Sequence, residues 1–418
     1  MPERSKQKKD RKPLYYVRKR LFSNIPAVFG MLVILISVII SILGYSIMPD
    51  NTPYADGRAD QISKQPPGFK VLMLNVRKNL DIKYRKYFER VLFGQESEYR
   101  SIPIENYTIN TNNLTIEAQI YGEKDKTVLP LVDVVKPLYV GKSEKLDSHE
   151  SGNYYYDAST QTIIYLDLHE KLNRITKSEL LNEFEAHCLE TRTYLLGTDK
   201  SGRDMLSRLL FGVRISLGIG LISVAISFVV GFTLGSLAGF FGGWIDSFIL
   251  WFMTVVWSIP GIMLVIAISL ALGRGVLVAF VAIGLTTWVE IARVVRGQIL
   301  SVKQKQYVEA AKAVGMGSFR IITVHILPNI IGPLIVILTS NFASAILTEA
   351  GLSFLGLSAQ PPMASWGVMV NEGFGFITTT GGFYLVLFPS LCIALMVLAF
   401  NLFGNGLRDA YDPKTSTK

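Results

Sequence analysis

Six long apolar runs dominate the chain, at about 25–47, 213–240, 245–272, 276–293, 322–348 and 383–404. Each reaches the roughly 18 to 20 residues that a helix needs to cross a hydrocarbon core. The stretch 48–195 follows a different pattern. Lys70–Val76 and Thr162–Leu168 are short, apolar and rich in β-formers, and Leu114, Ile116, Ala118 and Ile120 alternate with polar neighbours as in a half-buried strand. Thr176 followed by Glu179 forms a capping-box pattern, opening a helix that runs to about Cys188. At roughly 150 residues this stretch is long enough to bury a core of its own. The fold expected is therefore a polytopic α-helical membrane protein with six transmembrane helices, carrying a small α+β domain between helices 1 and 2. Along the chain this gives a basic tail at 1–24, helix 1 at 25–47, the α+β domain at 48–195 and an amphipathic pre-helix segment at 196–212. A five-helix core follows at 213–404, with an inside loop at 294–321, and a tail at 405–418.

Charge then orients the spans. The net charge of +9 raises the prospect of nucleic-acid binding, but no recognition motif accompanies it. Arg4, Lys6, Lys8, Lys9, Arg11, Lys12, Arg18, Lys19 and Arg20 crowd one short tail before the first apolar run. That is the positive-inside pattern, with some attraction for anionic lipid. Ile25–Ile47 is about twice the length of a signal-peptide h-region and lacks a small-residue cleavage site after it, so it reads as a retained helix. With the tail inside, 48–205 lies outside, and 294–321 and the C-terminus lie inside. Arg296, Lys303, Lys305, Lys312 and Arg320 against the single acid Glu309 agree with this. Lys200, Arg203, Arg208 and Arg214, just before the second run, do not. Cys188 falls in the outer domain and Cys392 in a span, so no disulfide framework is expected.

Within the spans, Ser223, Ser227, Gly231, Gly235 and Gly239 recur every fourth residue, giving one small-residue face for close helix packing. Asn341, Ser344 and Thr348 form a polar stripe in span 5, suited either to a translocation path or to interhelical hydrogen bonds. No span carries an ionisable residue near its centre, which disfavours a carrier driven by protons or sodium; Glu290 and Arg293 are spaced to pair at an inner end. In the inside loop, Tyr307–Val314 favours helix, Gly315 and Gly317 permit a sharp turn, and Pro328 stands at the entry to span 5. The expected element is a short helix–turn–helix along the membrane surface, either a docking element or a basic connector. Gly141-Lys142-Ser143 is no phosphate-binding loop, because Lys136 stands where its first glycine belongs. His149, His169 and His187 lack metal-ligand spacing, and His325 reads as interface structure.

The loop resembles the coupling motif of ABC importer permeases: Glu309-Ala310-Ala311, then Gly315, then Leu327-Pro328, with His325 at a usually apolar position. The likeness to the dipeptide/oligopeptide (and nickel) importer permeases extends over about 196–414. It includes Leu196-Gly197-Thr198-Asp199, Gly202-Arg203-Asp204, Ser207-Arg208, Gly242 through Asp246, Arg293, Arg296-Gly297, Leu352 through Leu357, Gln360-Pro361-Pro362, Ser365-Trp366-Gly367, Asn401-Leu402 and Asp412-Pro413. Trp251, Thr254 and Asn405 depart from it, standing where Arg, Asp and Asp are usual.

The resemblance implies a permease subunit forming half of a peptide pathway in the bacterial inner membrane, multi-pass, with both termini cytoplasmic. Nickel chelates or glutathione-like compounds are alternative cargoes. Gln304–Gly317 would dock on an ATP-binding subunit, with Tyr307, Glu309, Ala310, Ala311, Gly315 and Met316 as coupling residues. Implied partners are a second homologous permease, two cytoplasmic ATP-binding subunits and an extracytoplasmic substrate-binding protein. ATP and Mg would be bound by partners; the chain itself would be no enzyme and would hold no cofactor or metal. A membrane sensor with a ligand-binding outer domain is the reading from another class, and it lacks an evident effector domain inside.

Overall fold

The computed structural model describes residues 13–141, 146, 153–379 and 381–411. Arg4, Lys6, Lys8, Lys9, Arg11 and Lys12 of the basic tail lie outside the described residues, as do Lys142, Ser143, His149, Asp412 and Pro413. Two helices open the described chain, α1 (Pro13–Ser23) and α2 (Ile25–Ile47). The chain divides into two compact units, one made of Ile42–Phe211 with Glu372–Val386, the other of the remainder.

The first unit holds the α+β region. Its elements are β1 (Phe69–Arg77), α3 (Tyr87–Phe93), β2 (Tyr99–Asn110), β3 (Thr115–Ile120), β4 (Lys126–Pro130), α4 (Leu131–Val135), β5 (Tyr154–Asp157), β6 (Thr162–Leu166), β7 (Leu172–Thr176), α5 (Lys177–His187) and β8 (Leu189–Tyr194). Five strands form an antiparallel sheet in the order β4-β3-β2-β1-β8, and β5-β6-β7 form a second. Alternation in β3 does what its sequence requires: Ile116 and Ala118 are fully buried while Glu117 and Gln119 point away. The capping box of α5 forms, with Thr176 Oγ1 accepting from the Glu179 N–H at 3.2 Å and Glu179 accepting from the Thr176 N–H at 3.0 Å. Leu180 and Phe184 of α5 join Leu74, Ile104, Ile116, Leu131 and Ile163 in one core. Cys188 sits in that core, where burial pushes its thiol up to about 11, so it is an inert apolar filler and not a reactive group.

The second unit is helical. After β8 come α6 (Met205–Phe241), α7 (Gly243–Ser258), α8 (Gly261–Leu272), α9 (Val276–Lys303), α10 (Gln306–Ala313), α11 (Ser318–Arg320), α12 (Leu327–Phe354), α13 (Trp366–Phe374) and α14 (Tyr384–Tyr411). Among the described residues five helical stretches are long and apolar enough to cross a membrane: α2, α6, α9, Ser318–Phe354 and α14. The run 245–272, expected as one helix, is two, α7 and α8, bent by 89° at Ile259–Pro260. Pro260 supplies no N–H and drives Ile259 into an extended conformation (ψ 129°), which ends α7. At about 18 Å for its twelve residues, α8 alone does not cross the hydrocarbon core; a sixth crossing needs both halves.

The small-residue face of α6 lies against α9, and the contact repeats every fourth residue on both helices. Ser223 Oγ donates to the Phe280 carbonyl at 3.0 Å, and Ser227 Oγ to that of Gly284 at 2.9 Å. One and two turns further on, a Cβ at Gly231 would lie 2.7 Å from the Trp288 carbonyl oxygen, and one at Gly235 would lie 2.5 Å from that of Ala292. At Gly239 the corresponding distance to the Arg296 carbonyl is 3.0 Å. Absent side chains let the two backbones approach, and the two serines use the same proximity to reach backbone acceptors. Gly30 and Gly406 bring α2 against α14 in the same way.

Candidate functional site

The loop 294–321 is more helical than expected. Its first third continues α9 to Lys303, and α10 follows after a two-residue turn. Val308 and Ala311 of α10 are buried in a cluster with Phe240 of α6, Val295 and Ile299 of α9 and Ile321, Ile322 and Ile326 beyond the turn. Tyr307, Glu309, Ala310, Lys312 and Ala313 are exposed. Thus α10 is bolted to the helical bundle along one side and free along the other. Its end is fixed by a Schellman motif. The Met316 N–H donates to the Ala311 carbonyl at 3.1 Å and the Gly315 N–H to that of Lys312 at 2.9 Å. Gly315 takes φ +78°, the left-handed conformation the motif requires at this position. Met316 is half-buried against the same cluster. Before Pro328, the segment Ile321–Ile326 winds as a π-helix, leading without a break into α12.

Three other sequence-marked groups take different places. Arg296 pairs with Asp246 of α7 in a two-pronged contact of 2.6 and 2.7 Å. Arg293 does not pair with Glu290; its guanidinium lies 3.7 Å from the centroid of the Trp257 ring, and Glu290 is exposed. Trp251 and Thr254 lie on α7, the first exposed, the second with its hydroxyl bonded to the Leu250 carbonyl at 2.8 Å. The stripe in α12 splits. Asn341 is 2 % exposed inside the bundle, Ser344 is exposed and Thr348 half-buried. Next to Thr348, Glu349 is fully buried and accepts from Ser353 Oγ at 2.6 Å. The apolar run 322–348 stops one residue short of it, so nothing in that run marks the acid.

Arg203 and Arg208, read from sequence as positive charges on an outer surface, are buried to 2 % and 1 % exposure. Asp199 takes Arg203 Nε at 2.6 Å and also Arg208 Nη1. Glu372 takes Arg203 Nη2 at 3.0 Å and Arg208 Nη1 at 2.6 Å. Asp56 meets Arg203 Nη1 at 3.0 Å, and Lys200 Nζ stands 3.6 Å from Glu372. Three carboxylates thus face three cations. Burial pushes the Glu372 carboxyl up, but Arg208 and Arg203 outweigh it and hold the group below the usual carboxylate range. Close backbone packing builds the cluster: at Gly202 (φ +70°) a Cβ would lie 1.8 Å from the Ala59 carbonyl oxygen. Beside it, Asp204 caps α6, accepting from the Ser207 N–H at 2.8 Å.

Residues 231–417 match the family model of the binding-protein-dependent transport system inner membrane component. The chain is 44 % identical over 218 residues to the dipeptide transport system permease protein DppC of Bacillus subtilis, covering 52 % of this chain and 68 % of that protein. The chain belongs to this permease family. It is also 44 % identical over 219 residues to the glutathione transport system permease protein GsiD of Pectobacterium atrosepticum, covering 52 % of this chain and 72 % of that protein. A structure of the MetNI methionine ABC transporter is similar over 50 % of this chain and 98 % of that chain, at 19 % identity and a TM-score of 0.41. The chain is a multi-pass inner membrane permease subunit of an ABC import system, and the ATPase of such a system is a separate protein. The identity lies over the C-terminal half, and the α+β region between α2 and α6 stands before it.

Proposed function

We propose that this permease imports short peptides of the dipeptide or glutathione size, and that α10 is the element an ATP-binding subunit grips. One observation carries the coupling reading: α10 presents Tyr307, Glu309 and Ala310 to solvent while Val308 and Ala311 lock it to α6, α9 and the start of α12. A rigid-body displacement of a partner seated on the exposed side is thereby passed to membrane helices without an intervening flexible joint. Glu309, the exposed acid among the basic residues of this segment, meets a cation on the ATPase. The peptide class is supported by the identity to the dipeptide and glutathione permeases.

The remaining assembly follows the family pattern: a second, homologous permease completes the pathway, and a substrate-binding protein delivers cargo from the other side. Six crossings, with α7 and α8 together supplying one, put both termini and α10 on the cytoplasmic side, where the basic residues of α9, α10 and α11 belong. The limits proposed for the extracytoplasmic α+β domain and the transmembrane core are 48–195 and 213–404. Ser344 and Thr348 are the path-lining candidates of α12, while Asn341 serves the bundle interior.

Replacing Glu309 with Lys is expected to lower substrate-stimulated ATP hydrolysis of the reconstituted transporter by about tenfold or more, corresponding to ~1.4 kcal/mol of lost coupling. Membrane insertion should be unchanged, because the side chain touches nothing in the core. Unaltered stimulation in Glu309→Lys and in Ala310→Arg would sink the coupling assignment.

A further inference from the structure

The segment Lys83–Phe93 carries Tyr84, Tyr87, Phe88 and Phe93 with most of their surface exposed; Tyr87 is 71 % and Phe88 80 % open. A water-soluble surface seldom gathers four aromatics within ten residues. The same segment is basic, with Lys83, Arg85, Lys86 and Arg90 against Glu89. Two features fix where this surface sits. The base of the segment is tied to the end of a membrane-spanning helix: α2 ends at Ile47, and Gly94 packs on Tyr45 in its last turn. A Cβ at Gly94 would lie 2.8 Å from the Tyr45 ring and 2.7 Å from the Asn51 carbonyl oxygen. The Gln95 N–H donates to that same carbonyl at 3.1 Å.

The segment is also held as a closed unit. Arg85 Nη1 donates to the carbonyls of Phe93 and Gly94 at 2.6 and 2.9 Å, and the Arg85 N–H to Gln95 Oε1 at 3.0 Å. Its one helix, α3, has seven residues, a length of about 10 Å. A segment this short, closed on itself and tied at its base to Tyr45 and Asn51, keeps its aromatic side chains beside the end of α2.

We propose that Lys83–Phe93 is a membrane-surface anchor of the α+β region. Tyr84, Tyr87, Phe88 and Phe93 enter the boundary between headgroups and acyl chains of the leaflet in which α2 ends, and Lys83, Lys86 and Arg90 meet lipid phosphates. Tyrosine rings favour that boundary, where an apolar body and a polar tip are both accommodated. Basic side chains with apolar stems reach up from it to the phosphates. The arrangement fastens the region at a second point, beside α2.

The test places a nitroxide at Phe88→Cys in the full chain with Cys188→Ala and Cys392→Ala. The assembled transporter is reconstituted in phosphatidylethanolamine–phosphatidylglycerol vesicles. Collision rates with oxygen and with a water-soluble nickel chelate are then read by power saturation. The expected result is an oxygen-to-nickel accessibility ratio several-fold above that of the free nitroxide in buffer. A water-like ratio overturns the proposal. So does exclusion of both reagents, which would mean that a protein partner covers the segment. A second label at Phe93→Cys repeats the measurement, and water-like or excluded behaviour there likewise overturns it.

Discussion

Replacing Glu372 with Gln is expected to destabilise the permease by about 3–5 kcal/mol, the usual consequence of removing one partner from a buried ion pair. The glutamine fills the same space, so the loss isolates charge. With Glu372 neutral, Arg208 loses its 2.6 Å carboxylate contact and Arg203 its 3.0 Å one, and both buried guanidiniums converge on the same oxygen of Asp199. The measurement is the midpoint of thermal unfolding in detergent. Pairing Glu372→Gln with Arg208→Met should lose less than the sum of the two single variants, by about 0.5–3 kcal/mol of coupling. Strict additivity, or an unshifted midpoint in Glu372→Gln, would show that the cluster is held by packing and not by charge.

The same carboxylate sets an acid limit. Its folded-state pKa lies below the unfolded value of about 4.3. Its stabilisation is therefore complete above that value and is lost as pH falls through the lower, folded-state pKa. Asp204 acts in the opposite sense, because burial raises its pKa and penalises its ionised form near neutrality. Between about pH 5 and pH 3 the unfolding midpoint of the parent chain should fall, and in Glu372→Gln the fall should be shallower. Parallel profiles would remove Glu372 from the acid transition.

What could be read in the sequence was local. Long apolar runs identify α2, α6, α9, α12 and α14 because a bilayer imposes length and composition together, and β3 and the cap of α5 follow from period two and from Thr176–Glu179. The helix α10 was also visible, since Gly315 must end it and Val308 and Ala311 share a face. The break between α7 and α8 was written in Pro260-Gly261, but apolar content alone treated 245–272 as uniform. The charge cluster was beyond reach. Arg203 meets partners 147 and 169 residues away, Asp56 and Glu372, and nothing local marks either acid. Without them, Arg203 and Arg208 looked like surface cations opposing the orientation signal.

A methyl group added at Gly235 is expected to weaken the α6–α9 contact by about 1–3 kcal/mol, the range for overpacking a filled interface. Its carbon would fall 2.5 Å from the Ala292 carbonyl oxygen and 2.9 Å from Val295 Cβ, both on α9, so one helix backbone has to move. Gly218 provides the contrast within α6: a Cβ there meets nothing within 4 Å, and Gly218→Ala should gain up to about 1 kcal/mol through helix propensity alone. Ser227→Ala should fall between the two. It gives up the bonds to Gly284 and Thr287, and interhelical hydrogen bonds in membranes average only about 0.6 kcal/mol. Thermal unfolding of the three variants should therefore rank Gly218→Ala above the parent, Ser227→Ala slightly below it and Gly235→Ala lowest. If Ser227→Ala proved the most damaging, hydrogen bonds and not close backbone approach would hold α6 to α9. The four-residue spacing would then owe its effect to its serines, and the glycines at 231, 235 and 239 would be incidental to the contact.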